Sequence, residues 1–587
     1  MGSTKLDTSE SADTSDVQPL RAKPFINVAA RLVAAAKATP DALAAIMPRG
    51  RDSSGRRIYD RITFRDFDRD TDRLARGLRE MGVQPGTRLA LLVKPSIDFI
   101  ALVFALLKSG AVAILIDPGM GRKHLLRCLD EVRLEGFVAI PLVQAVRTMC
   151  GRRYSQAVFN VTVGRRLFWN GVTIDELRGR DWTGPEMAVT TADDPAAIIF
   201  TSGSTGPPKG VLYRHGNFDR QVTEIRDFYG IQPGTIDLSC FPLFGLFNCA
   251  MGVTTVIPDM DASRPARVNP AHIVEAIRDC NVTQAFGSPA VWRRVGQYCA
   301  EKQIRLPTLR RVLSAGAAVP PEVLASMAAC IHEEGLIHTP YGATEALPVA
   351  SISSREVLGE TAAQSRTGAG TCVGRKYPGI EWKVIRAATN AQETAIPTPL
   401  ASLAEAEELP QGEIGELIVR GPVVTSAYVT RTEWNALAKI PDDPTAWHRM
   451  GDVGYLDAAG RFWFCGRMAH RVVTSGGTLY TEPCEAIFNQ HPAVYRSALV
   501  GLGPGGRQRP VIICQPMPGQ WPRGSKARQT LAAELRTIGQ QHKITEPVVD
   551  FLFHREFPVD VRHNSKISRE TLAVWAARRL PPRSGQP

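Results

Sequence analysis

The 587-residue sequence lacks the short-range pairs that mark metal and disulfide proteins. Its eleven cysteines form no Cys-x-x-Cys and no Cys/His cluster with zinc spacing, which excludes a zinc ribbon or a small disulfide framework. Scattered thiols read as small buried hydrophobes in a reducing, cytoplasmic setting. An unbroken apolar run of membrane length is also missing. The most apolar stretch, 99–116, is divided by Lys108 and Gly110 and reads as a buried helix followed by a buried strand, so no transmembrane segment is expected. Residues 1–20 are polar and read as a disordered tail, not a signal peptide. Charge of one sign is nowhere concentrated. The net +12 comes from Arg and Lys interleaved with Asp and Glu, so a solvated surface is expected and no nucleic-acid partner, although a basic surplus suits polyanionic substrates.

What is present first is length, enough for two or more domains. The early region alternates helix and strand signals. Residues 62–81 carry helical spacing, GVQPG (82–86) is a turn, 89–93 and 111–116 read as strands, and 97–108 reads as a helix. Strands recur at 196–200, 284–286 and 311–314. This alternation predicts βαβ units and a parallel sheet in an α/β fold. After about residue 375 the texture becomes strand and turn, at 381–385, 415–421 and 460–466, interrupted by an exposed Pro/Ala/Glu-rich insertion at 389–411. From 467 a smaller α/β piece follows, with helices at 482–490 and 526–541 and strands at 497–501, 510–515 and 548–553. The expected division is a tail at 1–20, a large domain at 21–466 and a small one at 467–587.

The strongest chemical signal is IIFTSGSTGPPKGV, 198–211. A strand runs into a loop holding Thr201, Ser202, Gly203, Ser204, Thr205, Gly206 and Lys209. Glycines let backbone N–H groups approach phosphate oxygens, hydroxyls add donors and the lysine adds charge. No Gly-Lys-Ser/Thr follows at P-loop spacing, so a Walker A loop is excluded. GLGPGG (501–506) fits a dinucleotide fingerprint but runs into RQRPVIICQ, a strand, and reads as a hairpin turn. His215 in RHGNF reads as a structural histidine beside the Asn217 helix cap.

The loop resembles the pyrophosphate-binding loop of the adenylate-forming superfamily, and the resemblance extends over residues 25–580 through motifs in that superfamily's order. SAGAAVP (314–320) matches the segment lining the adenine, here Gly316, Ala317 and Ala318. YGATE (341–345) matches the motif in which Tyr341 stacks on adenine, Gly342 follows, Thr344 contacts phosphate and Glu345 holds Mg²⁺, with Thr205 as a second metal contact. GDVGYLD (451–457) supplies Asp452, a ribose acceptor, and CGR supplies Arg467, its partner. Lys566 occupies the position of the mobile catalytic lysine. The resemblance implies a large AMP-binding domain of αβαβα subdomains plus a β-rich subdomain, a small mobile C-terminal domain, and ATP and Mg²⁺ as cofactors. It makes Lys566, Glu345, Thr344 and Lys209 the catalytic candidates.

Departures from that pattern bear on the acyl acceptor. In FPLFGLFN (241–248), between Phe244 and Phe247, Gly245 stands where many relatives carry a histidine or a bulky aromatic, and would open room for an α-branched acid. Ala469 replaces a usual hinge charge, and SGGTLYTEP (475–483) departs from the segment that guides pantetheine. FTSGSTGPPKGVLYRHGNF, YGATEALPV and PVDVRHNSKI together resemble the β-lactone synthetases of bacterial long-chain olefin biosynthesis. That resemblance implies a long-chain 2-alkyl-3-hydroxyalkanoic acid as substrate and other olefin-pathway enzymes as partners. The alternatives are a long-chain acyl-CoA synthetase or fatty acyl-AMP ligase and, more remotely, a non-catalytic nucleotide- or acyl-binding protein.

Overall fold

The computed structural model describes residues 24–180, 183–184, 187–201, 206–387, 398–559 and 567–580. The tail at 1–20 therefore lies outside the described residues, as do Ser202, Gly203, Ser204, Thr205 and Lys566. Among the described residues the first sheet has seven strands, in the spatial order Val172–Thr173, Phe159–Thr162, Gly136–Ala139, Arg88–Leu92, Val112–Leu115, Pro195–Phe200, Gly210–Arg214. All pairs are parallel except the last, which folds back as a hairpin.

The crossover helix Ile97–Ser109 shows why the apolar run 99–116 has its composition. The Ser96 hydroxyl caps it by accepting from the Phe99 N–H at 3.1 Å, and Gly110, at φ 79°, ends it in the left-handed region that glycine adopts without strain. Every residue from Phe99 to Ser109 is buried, Lys108 included. The Lys108 ammonium meets Asp68 at 2.6 Å and Asp72 at 2.5 Å, both on the amphipathic helix Phe64–Glu80. The lysine that breaks the hydropathy pattern thus ties two helices together.

The second sheet has fourteen strands among the described residues. One half is parallel: Leu43–Arg51, Thr254–Val256, Ile236–Ser239, Gln284–Gly287, Arg311–Ser314 and Leu336–Ala343. The chain then reverses tightly into Ala346–Ser353, and the other half is antiparallel through Thr371–Lys376, Phe462–Arg467, Trp447–Leu456, Gly415–Arg420 and Glu381–Ile385. Loops at the carboxyl ends of parallel strands border an open crevice, the usual ligand position in such sheets.

Beyond Arg467, Val494–Leu502, Arg509–Pro516 and Asp550–Phe553 form a separate three-stranded sheet with the helices Thr481–Phe488, Gly524–Gln540 and Arg569–Ala577. GLGPGG is the turn of its first hairpin. Of the predicted insertion at 389–411, residues 398–411 are described, and most of them are exposed, with a few apolar anchors. Leu400, Leu403 and Ala406 pack on Ile385, Ile418, Ile440 and Trp447, and Leu409 is buried. Among the described residues no helix is long and apolar enough to cross a membrane.

Truncating Lys108 to Ala would remove the buried ammonium that Asp68 and Asp72 share. Lys108→Ala should cost about 3–5 kcal/mol, the usual penalty for breaking a buried pair. Thermal unfolding should show a drop of several degrees. Arg65→Ala, which removes a pair with Asp41 at the surface, should stay within about 1 kcal/mol of the parent.

Candidate active site

The phosphate-loop hairpin closes on itself. The Thr201 N–H donates to the Lys209 carbonyl at 3.0 Å, and the Lys209 N–H donates to the Thr201 hydroxyl at 3.1 Å. At its base the Gly210 N–H donates to the Thr430 hydroxyl at 2.8 Å. The Lys209 ammonium lies 4.8 Å from the ring centre of Tyr428 and 4.4 Å from that of Trp434. Burial lowers its pKa, while the charge of Glu345 opposes the shift.

Thr344 and Glu345 form the reversal between Leu336–Ala343 and Ala346–Ser353. Gly342 permits it, since a Cβ there would stand 2.6 Å from the Ala346 carbonyl oxygen. The reversal is clamped from two sides. The Tyr213 hydroxyl donates to the Thr344 carbonyl at 2.6 Å. The Thr425 N–H and hydroxyl both donate to the Glu345 carbonyl, at 2.9 and 3.0 Å. The Tyr428 hydroxyl donates to Glu345 Oε1 at 2.6 Å. Behind Thr425, the buried Lys439 ammonium donates to the Thr425 carbonyl, and burial pushes its pKa down to about 8.

Asp452 and Arg467 face each other across paired strands. Arg467 Nη1 lies 2.9 Å from Asp452 Oδ1 and donates to the Met450 carbonyl at 3.0 Å, while the Tyr341 hydroxyl donates to Asp452 Oδ2 at 2.5 Å. The aspartate raises the guanidinium pKa, and burial followed by Asp452 raises the Tyr341 phenol well above its ordinary value. Each carboxylate oxygen can accept a second hydrogen bond, so a ribose diol can still be held there. Tyr341 is tilted by 37° and 45° against Phe462 and Phe464, at centroid distances of 6.2 and 6.4 Å.

Thr201, Gly206 and Lys209 line one cleft of about 2520 Å³. Gly316, Ala317 and Ala318, on the loop after Arg311–Ser314, line the same cleft, as do Tyr341, Gly342, Thr344, Glu345, Asp452 and Arg467. Phe244 and Phe247 join them on the acyl side, Phe244 stacked on Phe286 at 3.5 Å.

Gly245 corrects the sequence reading. It does not line the cleft, and its missing Cβ points into the core, where a side chain would meet Ile100 Cδ1 at 2.8 Å and Thr255 Cγ2 at 3.3 Å. The glycine lets the helix Phe244–Ala250 approach Ile97–Ser109 closely; it does not enlarge the acyl pocket. Sequence reasoning also missed Tyr213, Tyr428, Trp434 and Lys439. Isolated aromatics among apolar residues read as core, and a lone lysine reads as surface. His215 is structural: it is buried, its Nδ1 accepts from the Val28 N–H at 3.3 Å, and burial pushes its pKa down to about 4.

Among the described residues no group of three metal-ligating side chains exists. Glu345 alone suits Mg²⁺, which keeps several waters and takes one or two carboxylates plus substrate phosphates. Tyr428→Phe removes the hydroxyl that fixes Glu345. A hydrogen bond to a charged group contributes about 1.5–3 kcal/mol, so pyrophosphate release should slow by about 10- to 100-fold with nucleotide affinity little changed. Calorimetric titration with ATP beside single-turnover kinetics separates the two quantities.

A family model described as "AMP-binding enzyme" matches residues 32–429. Among curated proteins, the chain is 44% identical over 558 residues to an olefin beta-lactone synthetase of Xanthomonas campestris pv. campestris, covering 94% of this chain and 97% of that one. It is likewise 44% identical over 569 residues to the olefin beta-lactone synthetase of Stenotrophomonas maltophilia, at 95% and 99% coverage. Among solved structures, the amide bond synthetase McbA from Marinactinospora thermotolerans shares the fold with a TM-score of 0.74 at 21% identity, covering 94% of this chain and 99% of that one. The chain belongs to the AMP-binding enzymes and, within them, to the olefin β-lactone synthetases.

Proposed function

We propose that the enzyme adenylates a long-chain 2-alkyl-3-hydroxyalkanoic acid and that the acid's own 3-hydroxyl then displaces AMP. In the first step a carboxylate oxygen attacks the α-phosphorus of ATP, the bond to the β-phosphate oxygen breaks and pyrophosphate leaves. In the second, the 3-hydroxyl oxygen attacks the acyl carbon, the bond to the AMP oxygen breaks, and the hydroxyl proton is lost as the four-membered ring closes. The observation that carries this reading is the Thr344–Glu345 reversal. It stands between Lys209 on the phosphate side, Asp452 on the ribose side and the aromatic wall of Phe218, Phe244 and Phe247, all in one cleft.

In this reading Asp452 and Arg467 hold the ribose, Gly316, Ala317, Ala318 and Tyr341 border the base, and Thr344 donates to a phosphate oxygen. The 201–206 loop and Lys209 take the leaving pyrophosphate, and Lys566 brings a second cation to the reacting oxygens. Glu345 would hold Mg²⁺, which supplies charge neutralisation on the phosphates when bound. The internal acceptor needs no partner: a well-oriented intramolecular nucleophile reaches effective molarities of about 10⁵–10⁸ M.

A 2-alkyl-3-hydroxy acid should give AMP, pyrophosphate and a product lighter than the acid by one water, with no dependence on coenzyme A. The matching 3-deoxy acid lacks the internal nucleophile and should stall as a bound adenylate that hydroxylamine traps. Mass analysis of both reactions checks this. A thioester accumulating from the deoxy acid when coenzyme A is added would assign the chain to the acyl-CoA synthetases instead.

A further inference from the structure

Among the buried polar atoms of the cleft lining that have no hydrogen-bond partner, the Gln221 amide oxygen lies beside the Thr344–Glu345 reversal. Gln221 lies on the helix His215–Tyr229, is 1% exposed and lines the cleft with Phe218, Val222 and Ile225. Its Nε2 donates to the Leu347 carbonyl at 2.7 Å, three residues along the strand from Thr344. That bond fixes the amide orientation, because a flip would set two oxygens against each other. The amide also lies close enough to the Tyr213 oxygen to offset part of the pKa rise that burial gives that phenol. Tyr213 has already committed its proton to the Thr344 carbonyl.

Gln221 Oε1 is left buried with no donor. A buried acceptor without a donor is costly, and native interiors rarely leave one unsatisfied. The helix residues that line the cleft beside it, Phe218, Val222 and Ile225, are hydrocarbon and offer no proton. A hydroxyl on a ligand in the cleft would supply the donor.

We infer that Gln221 Oε1 accepts the 3-hydroxyl of the substrate acid, making Gln221 the residue that selects hydroxy acids over plain fatty acids. This rests on the hydroxy-acid reading above. Gln221 and the Thr344–Glu345 reversal are joined through Leu347 and through Tyr213, so the amide belongs to the same rigid unit as the groups proposed to meet the carboxylate. A hydroxyl two carbons from the carboxylate carbon would be held while the acid is adenylated. The straight-chain analogue would leave the Oε1 desolvated and unpaired, and sites built to bond a hydroxyl reject analogues lacking it far more strongly than apolar pockets reject a missing methylene.

The test compares kcat/KM for pyrophosphate release with the 2-alkyl-3-hydroxy acid and with its 3-deoxy counterpart, in the parent enzyme, Gln221→Met and Gln221→Glu. The parent should prefer the hydroxy acid by about tenfold or more. Gln221→Met, nearly isosteric but without the amide, should lose most of that preference, chiefly through a higher KM for the hydroxy acid. Gln221→Glu should retain it, because a buried carboxyl kept protonated donates to Leu347 and still accepts from the substrate. A preference unchanged within threefold in Gln221→Met overturns the assignment, and so does equal loss of both acids. Should the Met variant fail to fold, Gln221→Leu takes its place under the same criterion, and a parent preference below threefold overturns the assignment by itself, since the hydroxyl is then not read at adenylation. A parent that makes lactone without that preference overturns only the Gln221 contact; one that adenylates the deoxy acid and rejects the hydroxy acid removes the lactone reading with it.

Discussion

A two-residue reversal, Thr344–Glu345, has to keep one geometry although it sits at the open edge of a crevice, where backbone carbonyls would otherwise bond to water. Two hydroxyls and one amide prevent that, from Tyr213 in the first sheet and Thr425 in the segment leading out of the antiparallel half of the second, and the Tyr428 hydroxyl of that same segment holds the Glu345 carboxylate. The donors come from two stretches of chain, one from each sheet, so the two sheets are registered against each other through this turn. Lys439 extends the clamp inward by holding the Thr425 carbonyl. A cation buried enough to have its pKa pushed down to about 8 is an expensive way to fix one carbonyl. Its position close to the Glu345 charge offsets part of that cost.

The same turn joins the two polar ends of the cleft. Tyr341, just before it, binds Asp452, and Asp452 binds Arg467 at the end of the last strand of the large sheet. Arg467 is also where the chain leaves that sheet for the C-terminal elements. There His470 Nε2 meets Glu570 at 3.0 Å, and Thr371 of the large sheet donates to Glu482 at 3.0 Å. Asp452 therefore lies beside the point where the chain leaves the large sheet for its C-terminal elements.

How far the sequence could be read follows from what kind of signal each feature leaves. Periodicity placed Ile97–Ser109, Arg88–Leu92 and the parallel strands to within a few residues, because apolar spacing reports directly which face is buried. Motifs placed Glu345, Asp452 and Arg467, whose neighbours in sequence are also their neighbours in function. Partners distant in sequence were invisible. Tyr428 lies 83 residues from the carboxylate it holds, and Gln221 lies 126 from the carbonyl that orients it. Gly245 failed for a related reason: a glycine shows that something comes close, but only the fold shows whether the neighbour is a substrate or, as here, Ile100. In the described part of the insertion, 398–411, a few leucines spread among Glu and Pro reach a small cluster around Trp447 that composition does not reveal.

Lys209 shows how a cation can be kept in the cleft without a carboxylate bound to it. A carboxylate partner would neutralise it and compete with the substrate. Its near neighbours are instead the faces of Tyr428 and Trp434, at 4.8 and 4.4 Å. Cation–π contact steadies an ammonium by about 0.5–2 kcal/mol without cancelling its charge, and leaves its donors directed outward. The ring of Tyr428 carries the cation while its hydroxyl holds Glu345, so one side chain separates the two opposite charges that would otherwise collapse onto each other. Burial lowers the Lys209 pKa, which means the cation is under-solvated and gains more from an arriving polyanion than an exposed lysine would. The aromatic spacer keeps the ammonium and the carboxylate apart, which is the arrangement the proposed function needs if each is to meet a different part of a phosphate chain.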